Sequence, residues 1–295
     1  NPLHGVPAPM GERVLLGLRH RASSGEAVFS TNAVTAALVE YHAGALDGGA
    51  PLAPAVSFLN MRAHTLGLAS PWNASSTTIL WPNQPMIILH SPNIWTLSGF
   101  LKEHASVEFV DAPSSWSFGA SADVSRVLQN RACLFIPDHP FKNLFNDLYA
   151  LGLPPFVPSR TWLSRLWSNL MNPWDDQTYD GWFHRRLPNI RFGRGAGEPE
   201  PMNMDTDGEA KARHWLRLAD YYHFPGVTVF TGAADLVVQL QAADLPRARA
   251  AMRAHVAQRH VAAIRELRGV IAKAGDVAPA ALSPHNFAHE VAQKK

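Results

Sequence analysis

Between Pro137 and Arg160 the chain collects polar side chains at spacings that suit an anion. His139 lies just after the apolar run 132–136, and Lys142 and Asn143 open the helical stretch that follows. Asp147 falls within that helix, and Ser159 and Arg160 come directly after a second short apolar run. A lysine in a first helical turn opposes the helix dipole, so an anionic ligand would account for Lys142. Free N–H groups at a helix start, acting with the dipole, make a ready site for a diphosphate. Arg160 suits a bidentate grip on phosphate. The imidazole of His139 titrates near neutrality and suits phosphate contact or catalysis. His90 closes another apolar run, 86–90, and is a candidate general base if that run borders a cleft. Each of these side chains, taken alone, also fits a solvated surface.

The elements that must hold them are a strand, a helix and a second strand. Residues 132–136 form a continuous apolar run, as a fully buried strand requires. Pro137 ends its ladder because it has no N–H to donate. A helix over 141–151 then stops at Gly152, and 156–158 is a short strand. Upstream, strands are expected at 14–18, 55–59, 77–81, 86–90 and 107–110, with helices at 31–42, 94–104 and 123–130. Downstream, the pattern gives helices at 163–171, 212–222, 233–242 and 245–272, with a strand at 227–230. Strands alternating with helices over short connections favour a parallel sheet covered on both faces.

The 295 residues suit one large domain or two ordinary ones. With 46% hydrophobic and 17% charged residues the chain can bury a core. A net charge of +2 is too small to argue for nucleic acid, and none is expected as a partner. The single cysteine, Cys133, excludes an intrachain disulfide and any cysteine zinc site. No run reaches the roughly 20 apolar residues of a membrane helix, so a membrane anchor is expected only outside this chain. Asp205-Thr206-Asp207 has the form of a metal-gripping Asp-x-Asp, but it follows a Pro-rich stretch rather than a strand, so no metal is expected. The arginines within 185–194 could form a phosphate-binding lid or a solvated loop. Asn73-Ala74-Ser75 is an acceptor sequon for N-glycosylation and favours the secretory pathway.

The unit from Arg131 to Ser159 resembles the carboxy-terminal domain of GT-B glycosyltransferases. Asp147-Leu148-Tyr149-Ala150-Leu151-Gly152-Leu153-Pro154 is similar to that family's Glu-Ala-Leu-Ala-x-Gly-x-Pro helix. The ending Phe156-Val157-Pro158-Ser159 is closer still to poorly characterised eukaryotic glycosyltransferase-like sequences. The resemblance covers the middle and later third of the chain, and Tyr221-Tyr222-His223-Phe224-Pro225 fits its closing part.

The resemblance implies an α/β fold of GT-B type, with two Rossmann-like domains whose parallel sheets face a cleft. The expected division is an acceptor domain over 1–112, a donor domain over 113–272 with an irregular insertion at 172–210, and a tail over 273–295. The implied activity is metal-independent transfer of a hexose or pentose from a UDP- or GDP-linked donor to a hydroxyl of a glycan or glycoconjugate. The nucleotide sugar is a co-substrate, and no cofactor is implied. Asp147 would accept hydrogen bonds from the donor ribose. Lys142, Asn143, Ser159 and Arg160 would contact the donor, and His90 and His139 are the candidate catalytic groups. His139 occupies the position at which retaining members carry a second Glu, so a Glu-x7-Glu pair is not implied. An inactive, glycan-binding or scaffold protein on the same fold is the alternative. The expected location is the Golgi lumen, with the cytoplasm as alternative. An α/β hydrolase ranks behind both, because the chain has no Gly-x-Ser-x-Gly elbow.

Overall fold

In the computed structural model, the residues described are 17–18, 20–24, 30, 33, 36–37, 61–82, 92–111, 121–137, 143–170 and 208–276. In chain order the elements are α1 (Met61–Ala69), β1 (Thr78–Trp81), α2 (Pro92–His104), β2 (Glu108–Asp111) and α3 (Ser121–Leu128). There follow β3 (Ala132–Leu134), α4 (Asn143–Leu151), β4 (Pro155–Pro158), α5 (Arg160–Leu170) and α6 (Gly208–Leu216). A 3-10 turn (Asp220–Tyr222), β5 (Thr228–Phe230), α7 (Ala233–Ala242) and α8 (Leu245–Asp276) complete it.

The five strands form one all-parallel sheet in the order β2-β1-β3-β4-β5. Buried strands read as unbroken apolar runs because both faces are covered. Accordingly Ile79, Cys133, Leu134, Phe156 and Val157 are fully buried. Helices pack in three groups: α2 against α7, α5 against α6, and α1 against α3, α4 and α8. This is a doubly wound α/β fold, and the chain reverses direction between β1 and β3.

The boundary expected after residue 112 falls inside this sheet. Ile79 and Leu80 of β1 pair with Ala132 and Cys133 of β3, so strands on either side of residue 112 share one layer. Two further corrections concern local structure. Gly17 and Leu18, expected in a strand, are helical, because a short apolar run does not distinguish the two states. The helix α1 was not expected, since Gly67 interrupts its apolar face. That glycine is required by packing: a Cβ there would lie 2.4 Å from the Leu151 carbonyl oxygen, so α1 rests directly on the end of α4. The expected strands at 55–59 and 86–90 and the insertion at 172–210 lie outside the described residues.

An aromatic group ties β3, α4 and the 3-10 turn together. The rings of Phe135, Phe145 and Tyr221 stand 5.6–6.2 Å apart and are all about 1% exposed. Such pairs contribute about 0.5–1.5 kcal/mol each beyond their buried area.

Candidate functional site

In an open parallel sheet, ligands bind beyond the carboxyl ends of the strands, at the point where strand order reverses. Here that point lies between the ends of β1 and β3. Trp81 closes β1, held edge-on against Phe109 at 5.7 Å. Beyond β3, Phe135 still donates its N–H to Phe156 at 2.9 Å, and the chain leaves the ladder through buried Ile136 and Pro137. The next described element is α4.

Three helices beginning at this edge differ in how their first N–H groups are satisfied. At α7, the Asp235 carboxylate accepts both the N–H and the hydroxyl of Thr231, at 2.7 and 2.9 Å. Those bonds hold the Asp235 carboxyl below its usual pKa and close that terminus with an internal anion. At α5, Ser159 Oγ accepts the Trp162 N–H at 3.3 Å and acts as the cap. The α4 start carries no acidic residue in its first turn. It is the terminus best suited to an external anion.

The sequence-derived candidates distribute along this edge. Asn143 is exposed at the first position of α4, and Asp147 is half-buried one turn on. Ser159 sits at the end of β4, where its N–H donates to the Phe230 carbonyl at 2.7 Å, so β4 and β5 are locked together there. With Oγ already capping α5, its hydroxyl proton is what it can offer a ligand. Arg160 is exposed, its guanidinium carbon 5.4 Å from the centre of the Tyr222 ring. Lys142, His139, His90, Asp205, Asp207 and the arginines of 185–194 lie outside the described residues. Ser159 and Arg160 are adjacent at one strand end, and Asn143 and Asp147 share one helix beside it.

The structure adds residues that the sequence did not single out. The hydroxyl of Tyr222 donates to the Pro158 carbonyl at 2.7 Å, fixing the ring on which Arg160 rests. Asp220, in the same 3-10 turn, is half-buried, and burial pushes its carboxyl up to about 6. Arg259, His223 and a hydrogen bond from the Asn146 amide act in the opposite sense and limit that rise. A carboxyl that titrates near 6 can hold or release a proton close to neutrality. Asp220 and Asn146 are distant in sequence and lie in no recognisable motif, so only their contact reveals them.

Comparisons of the chain with protein-family models, with curated proteins and with solved structures give no match. The functional reading therefore rests on this edge and its residues.

Gly152 has a conformational role. With φ +78° it adopts the left-handed region just after α4. Its N–H reaches the Tyr149 carbonyl at 2.9 Å, and Leu153 reaches Leu148 at 3.2 Å. This double closure is the usual glycine-dependent helix ending, and it turns the chain straight into β4. Cys133 is buried in β3, and burial pushes its thiol up, so it is packing rather than chemistry.

Proposed function

We propose that this sheet is the donor-binding domain of a glycosyltransferase of GT-B type. The observation that carries the reading is the β3–α4–β4 unit. Asp147, Gly152 and Pro154 keep the spacing of that family's helix, and the unit flanks the reversal point of a parallel sheet. In this reading the diphosphate of a UDP- or GDP-linked sugar sits at the α4 start, near Lys142 and Asn143. Asp147 accepts from the ribose hydroxyls, and Arg160 grips a phosphate from the β4 side. An acceptor hydroxyl attacks the anomeric carbon while the bond from that carbon to the diphosphate oxygen breaks. The diphosphate leaves with the bonding electrons, and the hydroxyl proton passes to a base, for which His90 and His139 are the candidates. Fixed dipoles and cations at the leaving group meet the main electrostatic demand of such a step, with no metal required.

Because β1 and β2 belong to the same sheet as β3, and α1 packs on α4, the elements α1, β1, α2 and β2 go with the donor sheet in this reading. Asn73 is exposed in a turn, as a glycosylated residue of a secretory protein would be. His139 in place of a family Glu favours a second reading, a donor-fold protein that binds glycans without turning over. Calorimetry with UDP- and GDP-sugars tests the first step of both. Binding that Asp147→Ala abolishes is the expected result, and absence of binding to every donor removes the donor-site reading. Hydrolysis or transfer of a labelled donor then separates the enzyme from the inactive protein.

A further inference from the structure

At the opposite, amino-terminal edge of the sheet, a cavity of about 370 Å³ opens between the end of α1, the turn before β1 and the first turns of α8. It is lined by Leu68, Ser70, Trp72, Pro246, Arg249 and Arg253, among others, and no acidic residue lines it among the described residues. Arg249 is only 6% exposed. Its Nη2 donates to the Gly67 carbonyl at 3.1 Å, and its guanidinium lies over the Trp72 ring at 4.8 Å. Trp72 is itself held by a 3.1 Å bond from Nε1 to the Asn130 carbonyl. The remaining Nη1 of Arg249 is buried and finds no acceptor among the described residues.

Among the described residues, the charge that acts on this group is a cation. Arg253, one turn on, acts on both Arg249 and His64, and His260 acts on His64 from 5.1 Å between ring centres. Burial first, and then Arg253, lower the Arg249 guanidinium to about 10. A buried, unpaired charge costs several kcal/mol unless a counter-charge meets it. Leaving two arginines together beside an open cavity that no carboxylate lines among the described residues is a poor arrangement for stability alone. It is a good one for a tetrahedral oxyanion, which guanidinium forks match in shape and charge.

We propose that the Trp72–Arg249–Arg253 cavity is an anion site for a phosphate or sulfate monoester of about monosaccharide size, separate from the donor edge. The volume exceeds that of an inorganic oxyanion, so the ester carries a small group that rests against Leu68 and Pro246. Occupation would bridge α1 and α8 and stiffen the contact between them.

Thermal unfolding of the full chain in inorganic phosphate, inorganic sulfate and chloride at equal ionic strength tests the proposal. Phosphate, sulfate or both should raise the midpoint by several degrees over chloride, and whichever raises it more identifies the ester class. The rise should disappear in Arg253→Ala and persist in Arg160→Ala, which alters only the donor edge. Ala250→Trp, which fills the cavity without removing a cation, should abolish it as well and serves if Arg253→Ala does not fold. No rise over chloride, or a rise that survives Ala250→Trp, overturns the proposal.

Discussion

Tyr222 and Pro158 are 64 residues apart, yet the phenol of one donates to the carbonyl of the other at 2.7 Å. This bond fastens the 3-10 turn to the last residue of β4, so the ring under Arg160 and the strand bearing Ser159 move as one body. Burial pushes the Tyr222 phenol well above its usual range, which keeps it a donor throughout the working pH range.

Tyr222→Phe should therefore cost about 1 kcal/mol, the net worth of one such bond, while the ring still supports Arg160. Tyr222→Leu should lose the ring as well. A double-mutant cycle with Arg160→Ala, read by urea unfolding, should give a coupling of about 0.5 kcal/mol for the leucine variant's lost contact. A Tyr222→Phe midpoint equal to that of the parent would show that the bond contributes nothing.

Arg160 is exposed, so Arg160→Ala should change stability by no more than about 0.5 kcal/mol. Nucleotide-sugar affinity should fall by about tenfold, as expected for loss of a charge-assisted bond. Arg160→Lys should recover only part of it, because an ammonium cannot fork onto phosphate. Unchanged affinity in titration calorimetry would take Arg160 out of the donor site.

Two glycines near the end of α4 should respond differently to alanine. At Gly67 a Cβ would lie 2.4 Å from a backbone oxygen, and the two helices must part. Overpacking of this kind costs about 1–3 kcal/mol. At Gly152 the nearest atom to a new Cβ is Arg249 Cγ at 3.5 Å, so the cost is the left-handed backbone alone, about 1–2 kcal/mol. Denaturation midpoints should rank Gly67→Ala below Gly152→Ala, and the reverse order would mean that α1 can shift freely.

Asp220 predicts the sign of one pH dependence. Its carboxyl lies near 6 in the folded chain against an ordinary value of 3.8, so between these the native state binds more protons. Stability from this group is present at low pH and is lost as pH rises from about 4 to 6, then stays level. The change is on the order of 2–3 kcal/mol at about 1.4 kcal/mol per unit. Asp220→Asn keeps the shape and removes the titration, so its unfolding free energy should lack that fall. An identical pH profile in the variant would show that Asp220 is not the titrating group.

Much of the fold was legible because burial leaves a direct trace in composition. The runs at 77–81 and 132–136 are apolar on both faces, and they became β1 and β3 of a sheet covered on both sides. Helix α7 was read at its observed bounds, 233–242. The strand at 132–136 proved shorter, because the ladder ends with the Phe135 N–H and the chain then leaves through Ile136 and Pro137. The candidate site could be proposed from sequence only where one local segment carries it, as Asn143, Asp147, Ser159 and Arg160 do around one helix. Asp220, Asn146, Tyr222 and Arg259 come from separate segments, and no spacing rule links them.

The sequence by itself determined the alternation of buried strands and helices, the parallel character of the sheet and the glycine-terminated helix that carries Asp147. These are local consequences of side-chain pattern and backbone allowance. Tertiary structure alone decided that β1 pairs with β3 across the expected boundary, because hydrophobic periodicity says which face is buried but not which strand lies alongside. It also decided that Arg160 rests on Tyr222, and that Arg249 and Arg253 meet Trp72 in one cavity. Those relations depend on contacts between distant segments, and only the packed chain brings them together.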